Sequence, residues 1–154
     1  FDLETVALRY FNVFGPRQDP KSQYAAVIPN FVTAALKGVP ATIYGDGEQS
    51  RDFTYVENVV RANLLAADAP DGAGRVLNIA TGGSETVNAL AETIGSILDR
   101  PVEKTFGPAQ PGDVRESWAD VSAASETIGY EPRVGFEDGL RRTIDAMLQT
   151  KGAR

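Results

Sequence analysis

The chain has 154 residues, of which 42% are hydrophobic and 23% are charged, as expected for one globular domain. Its 21 acidic and 15 basic residues give a formal net charge of −6, which argues against a nucleic-acid partner. There is no cysteine, which excludes disulfides and thiolate chemistry, and no histidine, the commonest ligand of transition metals, so no metal site is assigned. No apolar run approaches the roughly 20 residues of a membrane span, which excludes a membrane-crossing helix.

Strands dominate the first third of the chain. An apolar run predicts a buried strand at 5–11, and a polar loop follows it. Apolar residues at helical spacing then predict a helix that ends with Lys37 and Gly38, with Pro29 tolerated in its first turn. Two further strands are predicted at 42–44 and 52–56.

Helices dominate the remainder. The first is predicted to bury an apolar stripe formed by Val56, Val59, Val60, Leu64 and Ala67. After a buried strand at 76–80, the clearest stripe of the chain consists of Val87, Leu90, Ala91, Ile94, Ile97 and Leu98. An edge strand is predicted at 101–106, and two helices at 121–128 and 136–148, the last with Leu140, Ile144, Met147 and Leu148 facing inward. Alternating strands and helices predict an α/β fold.

The segment 9–20 carries the most specific signal. Its residues read RYFNVFGPRQDP, so that Asn12 stands between a predicted buried strand and a Gly-Pro turn. The Asn12 amide can donate to a phosphate, or it can satisfy its own turn. The segment resembles the NAD-dependent sugar-nucleotide epimerases, the extended branch of the short-chain dehydrogenase/reductase family. That resemblance implies that Asn12 contacts the substrate diphosphate and that Tyr10, Phe11 and Asn12 lie beside the nicotinamide.

A second segment, 45–58, is similar to the epimerase pattern GDGxxSRDFxYVxN. Its Arg51 offers a guanidinium that binds phosphate through two parallel charged hydrogen bonds. The alternative is an ion pair of Arg51 with Asp52 or Glu48. The resemblance favours phosphate binding by Arg51 and a structural role for 52–56.

Two further segments complete the predicted substrate site. Residues 25–29, AAVIP, resemble the family's loop-to-helix start, which implies contacts from Ala26 and Val27; Phe31 one turn later either stacks on the uracil or belongs to the helix core. Ile43 matches a position beside the base. Residues 110–120 look like the family's RxGDVRxSxAD, with Asp113 placed to take the ribose hydroxyls. Gln110 stands where that pattern has arginine, which removes one cation that Arg115 can replace.

The motifs for cofactor fixation and proton transfer are missing from these residues. Residues 45–50 lack the third glycine of a dinucleotide fingerprint, and 81–84 fit a strand–helix connection better than a phosphate loop. None of the five tyrosines has a lysine four residues later, so no catalytic residue is assigned. The resemblance therefore implies that residues 1–154 are the C-terminal portion of an extended short-chain dehydrogenase, with the last Rossmann strands and a small substrate-binding subdomain, and that the NAD-binding portion is absent.

The function implied is the UDP-sugar-binding half of an NAD-dependent UDP-sugar 4-epimerase, which works through a 4-keto intermediate. We expect a cytoplasmic protein that is inactive alone and that forms a homodimer or associates through an exposed sheet face. Two alternatives remain: a non-catalytic nucleotide-sugar binding or interaction module, and half of an NAD-dependent sugar-nucleotide dehydratase or decarboxylase.

Overall fold

The computed structural model describes residues 3–19 and 27–152 of the chain. Its helices are α1 Val27–Lys37, α2 Val56–Asp68, α3 Val87–Leu98, α4 Ser122–Ile128 and α5 Phe136–Gly152. Its strands are β1 Ala7–Tyr10, β2 Val13–Phe14, β3 Ala41–Tyr44, β4 Ser50–Arg51, β5 Thr54–Tyr55, β6 Val76–Ile79, β7 Glu85–Thr86, β8 Lys104–Gly107 and β9 Glu116–Ser117. The predicted α/β class is confirmed.

Parallel pairing organises the described strands. β1 pairs with β6, β2 with β5 and β3 with β8, each in parallel, while β4 lies between antiparallel β7 and parallel β9. The single strand predicted at 52–56 is wrong, because the chain changes partner at Asp52. The Asp52 amide donates to the Ser117 carbonyl at 2.8 Å, whereas the Thr54 amide donates to the Asn12 carbonyl at 3.3 Å.

Two apolar cores hold these elements together. The larger one joins α1, α3, α5 and β3 and contains a cluster of aromatic rings, Phe14, Phe53, Tyr55 and Phe136. The smaller one packs α2 and α4 on β6. The stripe predicted for α3 is confirmed, since Val87, Leu90, Ala91 and Ile94 are at most 8% exposed.

The stripe predicted for α2 is mostly exposed. Val56, Val60 and Leu64 are 37%, 54% and 65% exposed, whereas Val59 is buried as predicted and shares the buried face with Asn58 and small alanines. The small side chains let α2 approach α4 closely, and Asn58 binds backbone of the segment before α5. Leu148 is likewise exposed on α5 rather than inward.

Strand β1 is exposed, in contrast to the buried strand that its apolar run predicts. Among the described strands it pairs with β6 alone, so its outer edge is open. Tyr10 at its end is 48% exposed, and Val76 at the start of β6 is 57% exposed. The interior of β6 is buried as predicted, with Leu77 and Ile79 at most 1% exposed.

Tyr130 anchors the smaller core and gives the fold a measurable pH response. Its ring is buried, and its hydroxyl donates to the Ala80 carbonyl at 2.8 Å. Burial, and then the negative charge of Asp52, raise the pKa of Tyr130 to about 12. Because the folded-state pKa lies above the unfolded value, the phenol contributes stability below about pH 10, which is lost as the pH rises toward 12.

We therefore expect a late phenolate transition from Tyr130. The measurement is ultraviolet titration of the parent and of Tyr130→Phe, whose difference curve should be centred near pH 12. A difference curve centred at pH 10 would show that the Tyr130 hydroxyl is accessible to solvent.

Candidate functional site

A cleft of about 930 Å³ lies between the segment after β1, helix α1, strand β3 and the loop after β8. Its volume is that of a small-molecule site. Residues from separate parts of the sequence line it, and six of those predicted to bind substrate are among them: Asn12, Val27, Phe31, Ile43, Arg51 and Asp113. Tyr10, Phe11 and Arg115 are not part of this lining, and Ala26 lies outside the described residues.

Arg51 joins strand β4 to the loop that follows β8. Its Nη1 donates to the carbonyls of Ser50 at 2.7 Å and Val114 at 2.6 Å, and its Nη2 contacts the carboxylate of Asp113. Arg51 therefore does form an ion pair. Its partner is Asp113, and neither of the partners predicted from the sequence, Asp52 and Glu48, pairs with it. A guanidinium has five N–H donors, so two Arg51 donors have no partner among the described residues.

Asp52 and Glu48 have partners of their own. The fully buried Asp52 carboxylate accepts from the Thr81 amide at 2.9 Å, the Thr81 hydroxyl at 2.6 Å and the Gly82 amide at 2.9 Å. Two N–H groups at the start of the 81–84 loop are therefore occupied, which supports a strand–helix connection there. Glu48 accepts from the Asn88 amide at 2.6 Å.

Asn12 lies at the rim of the cleft in a left-handed backbone conformation, with φ of 33°. Its Nδ2 donates to the Asp52 carbonyl at 3.1 Å, and its own carbonyl accepts from Thr54. The side chain thus ties the end of β1 to the end of β4 instead of closing its own turn. The second N–H of Nδ2 remains for a ligand, since a primary amide has two.

The apolar wall of the cleft is largely core. Phe31 and Ile43 are 3% and 1% exposed, so the helix-core alternative describes the packing of Phe31. Tyr44 lines the same cleft with 47% of its surface exposed, and sequence reasoning missed it. Strand β3 alternates buried and exposed residues, and that period of two is the signal that places Tyr44 on the open face.

Arg115 and Tyr10 lie outside the cleft lining. Arg115 donates to both oxygens of Asp46, at 2.9 and 2.8 Å, and its guanidinium holds the pKa of that carboxyl below its ordinary value. Tyr10 stands at the carboxyl end of β1, where its hydroxyl donates to Asn63 at 3.0 Å. Phe11 is half-buried beside it and donates its amide to the Ile79 carbonyl.

None of the helices in the described part of the chain combines the length and the apolar character needed to cross a membrane. Nor do the described residues bring together three carboxylate, imidazole or thiol side chains that could hold a metal ion.

The parallel strand pairs and the interleaved helices define an α/β protein of the Rossmann-like class found in extended short-chain dehydrogenases. The profile of the NAD dependent epimerase/dehydratase family matches residues 1–80, and the chain belongs to that family. The motif resemblance is thereby confirmed.

Three relatives show what the chain is similar to. It is 35% identical to the UDP-glucose 4-epimerase of Mycolicibacterium smegmatis, over 94% of this chain and 46% of the relative. It is also 35% identical to the UDP-N-acetyl-alpha-D-glucosaminuronate decarboxylase of Bacillus cytotoxicus, over 92% and 46%. The crystal structure of the Thermotoga maritima UDP-glucose 4-epimerase with UDP-glucose matches with a TM-score of 0.91 and 43% identity, over 97% of this chain and 47% of that one. The chain spans about half the length of the curated relatives it matches.

Proposed function

We propose that residues 1–154 form the substrate-binding, C-terminal portion of an NAD-dependent UDP-sugar 4-epimerase. The observation that carries this proposal is the convergence of six predicted residues, distant in sequence, on one cleft of ligand size. The similarity to a UDP-glucose 4-epimerase crystallised with UDP-glucose supports the same ligand class. Calorimetric titration of the chain with UDP-glucose tests it, and the absence of binding would contradict it.

Each part of the ligand has a place in this proposal. Arg51 and Asn12 bind the diphosphate with their remaining donors, and Asp113 accepts from the ribose hydroxyls. The base lies against α1 and β3, where Val27 and Ile43 provide apolar wall and the exposed Tyr44 ring provides a stacking face. The buried edge of Phe31 supports that wall. Ala26 is included as a substrate contact because it immediately precedes α1 in the sequence. Arg115 is included as a cation two residues after Asp113.

The end of β1 fits one side of a bound NAD. Ligands of open parallel sheets bind at the carboxyl ends of the strands, and Tyr10, Phe11 and Asn12 stand there. The Tyr10 ring is 48% exposed beside an open strand edge, which leaves its face available to a cofactor held mainly by other sequence. When bound, NAD would take the hydride from sugar C4 and return it to the other face of the 4-keto sugar. The chain's own contribution is to hold and orient that sugar through its nucleotide.

We expect no epimerase turnover from the 154-residue chain alone. It contains neither a dinucleotide fingerprint nor a tyrosine followed by a lysine four residues later. The measurement is a coupled assay with UDP-glucose and with UDP-N-acetylglucosamine in excess NAD. Turnover above the rate without protein would contradict this expectation and would place the proton transfer on residues of this chain.

Two other functions have specific support. A decarboxylase of the same family is as similar to the chain as the epimerase is, and detection of UDP-pentose products from a UDP-uronic acid by the complete enzyme would favour it. A non-catalytic nucleotide-sugar binding module is favoured by the two apolar cores, which the chain builds from its own residues. Binding of UDP-glucose by a stable monomeric chain is the result that this alternative requires.

We expect the chain to dimerise or to associate through the face formed by β1 and α2. The open edge of β1 offers unpaired backbone groups, and Val56, Val60 and Leu64 form an exposed apolar row beside it. Light scattering on the purified chain should therefore show a species larger than a monomer. Leu64→Lys should shift it toward monomer, whereas the exposed Gln149→Lys on α5 should not.

A further inference from the structure

Gln110 holds a distinct position on the rim of the cleft. It opens a tight turn in which the Asp113 amide donates to the Gln110 carbonyl at 3.2 Å and Gly112 has a φ of 83°. The Gln110 side chain is exposed, lines the cleft, and makes no hydrogen bond with any described residue. The turn therefore places the Gln110 side chain where it can contact a ligand in the cleft. Asp113 lies in the same turn and is paired with Arg51.

The described lining of the cleft around Gln110 carries no net charge. Of its described lining residues only Arg51 and Asp113 are charged, and these two are bonded to each other. The remaining polarity is mostly that of five amide side chains, Asn12, Gln18, Asn30, Gln49 and Gln110. Amides donate hydrogen bonds to phosphate oxygens without adding positive charge, so the cleft does not compensate each further negative charge that a ligand brings.

The two forms of a nucleoside diphosphate differ by one charge. In a sugar nucleotide both phosphates are esterified and each carries one negative charge. In the free diphosphate the terminal phosphate also loses the proton whose pKa is about 6, so at pH 8 it carries nearly two. When the free diphosphate binds, its second terminal charge loses hydration without gaining a cationic partner, which costs free energy of binding.

We propose that the uncharged side chain at position 110, here Gln110, makes this cleft select the sugar-esterified diphosphate over the free nucleoside diphosphate. The inference rests on the proposed function, since it assumes that the cleft holds the diphosphate of a UDP-sugar. The neutral amide donates a hydrogen bond, which is enough for a singly charged phosphate. It carries no positive charge to balance the second negative charge of the free diphosphate.

The test is a charge series at position 110, with UDP and UDP-glucose as the two probes. Calorimetry at pH 8 on the 154-residue chain compares the parent with Gln110→Arg, Gln110→Met and Gln110→Glu. An exposed charge pair typically changes an equilibrium by about threefold, so Gln110→Arg should tighten UDP-glucose about threefold and, with twice the charge on the terminal phosphate, UDP about ninefold. Gln110→Glu should weaken the binding of UDP-glucose about threefold and that of UDP about ninefold. Gln110→Met adds no charge and should leave the ratio of the two affinities near that of the parent.

Controls separate the local charge from the net charge. Gln149→Arg adds the same charge on the exposed end of α5, outside the cleft lining, and should change neither affinity. Raising the salt concentration should reduce the effect of Gln110→Arg, as expected for an exposed charge. Thermal unfolding of each variant establishes that the exposed substitutions leave the fold intact.

Each possible result either supports or overturns the inference. Unequal gains for UDP and UDP-glucose, reversed by Gln110→Glu, support the selection. A parent chain that binds UDP as tightly as UDP-glucose, equal gains for both ligands, or gains matched by Gln149→Arg overturn the inference and leave the proposed function standing. Failure of the parent to bind either ligand overturns both.

Discussion

Replacing Arg51 by alanine is expected to weaken the binding of UDP-glucose to the cleft by about 10- to 150-fold, the range for loss of a hydrogen bond to a charged group. Arg51 is the only cation among the described residues of the lining, and two of its donors have no partner among those residues. Asn12→Ala should have a smaller effect, because its amide contributes one neutral donor. Calorimetric titration of parent and variants measures both changes.

The structural role of Arg51 requires its own control. The side chain also ties Val114 and Asp113 to strand β4, so alanine removes a tether as well as a charge. Arg51→Lys keeps the charge but loses the fork and should bind with intermediate affinity. Arg142→Ala removes a surface arginine that pairs with Glu57 and Asp138 and should leave binding unchanged. Parental affinity in Arg51→Ala would make Arg51 a purely structural residue.

Replacing Asn58 by alanine is expected to lower the free energy of unfolding by about 3–4 kcal/mol. The buried Asn58 amide donates to the Val134 carbonyl at 2.8 Å and accepts from the amides of Arg133 and Val134 at 2.9 and 3.0 Å. Alanine leaves these buried backbone groups without partners and detaches α2 from the segment that leads into α5. Urea denaturation measures the loss.

A matched control lies on the same helix. Asn63 is exposed; its amide donates to the Val59 carbonyl within α2, and its Oδ1 accepts from the exposed Tyr10 hydroxyl. Asn63→Ala should cost less than about 1 kcal/mol, as is usual for an exposed site. Equal losses at the two positions would mean that the Asn58 hydrogen bonds do not carry the connection between α2 and α5.

The fold was predictable where one residue pattern had one physical solution. Helix α3 has a single apolar stripe, and burying it leaves no choice of face. Helix α2 has two candidate faces, which share Val59. The row Val56, Val60 and Leu64 is exposed and the face with Asn58 and two alanines is buried, because Asn58 binds the segment before α5 and small side chains suit packing against α4. The apolar run of β1 predicted burial, but burial of a strand depends on neighbours that β1 lacks on its outer side among the described residues.

The residues of the candidate site were more predictable than their contacts. Motifs singled out Arg51 and Asp113, yet nothing local indicates that residues 62 positions apart bind each other. Their pairing depends on β4 lying beside β9, a tertiary arrangement that spacing does not encode. The apolar content of its strand does not single out Tyr44, whose exposure follows from the alternation of buried and exposed residues along β3.

The most direct test of the proposed function is an NMR titration of the isotope-labelled 154-residue chain with UDP-glucose. If the cleft binds the sugar nucleotide, saturable backbone amide shifts should be largest at residues that line it, with Asn12, Tyr44, Arg51 and Asp113 among them. Residues of the separate groove around Asp99 and Glu103 should stay unchanged. An unchanged spectrum, or saturable shifts that leave the cleft unaffected, would contradict the proposal that this chain binds the substrate of a UDP-sugar epimerase.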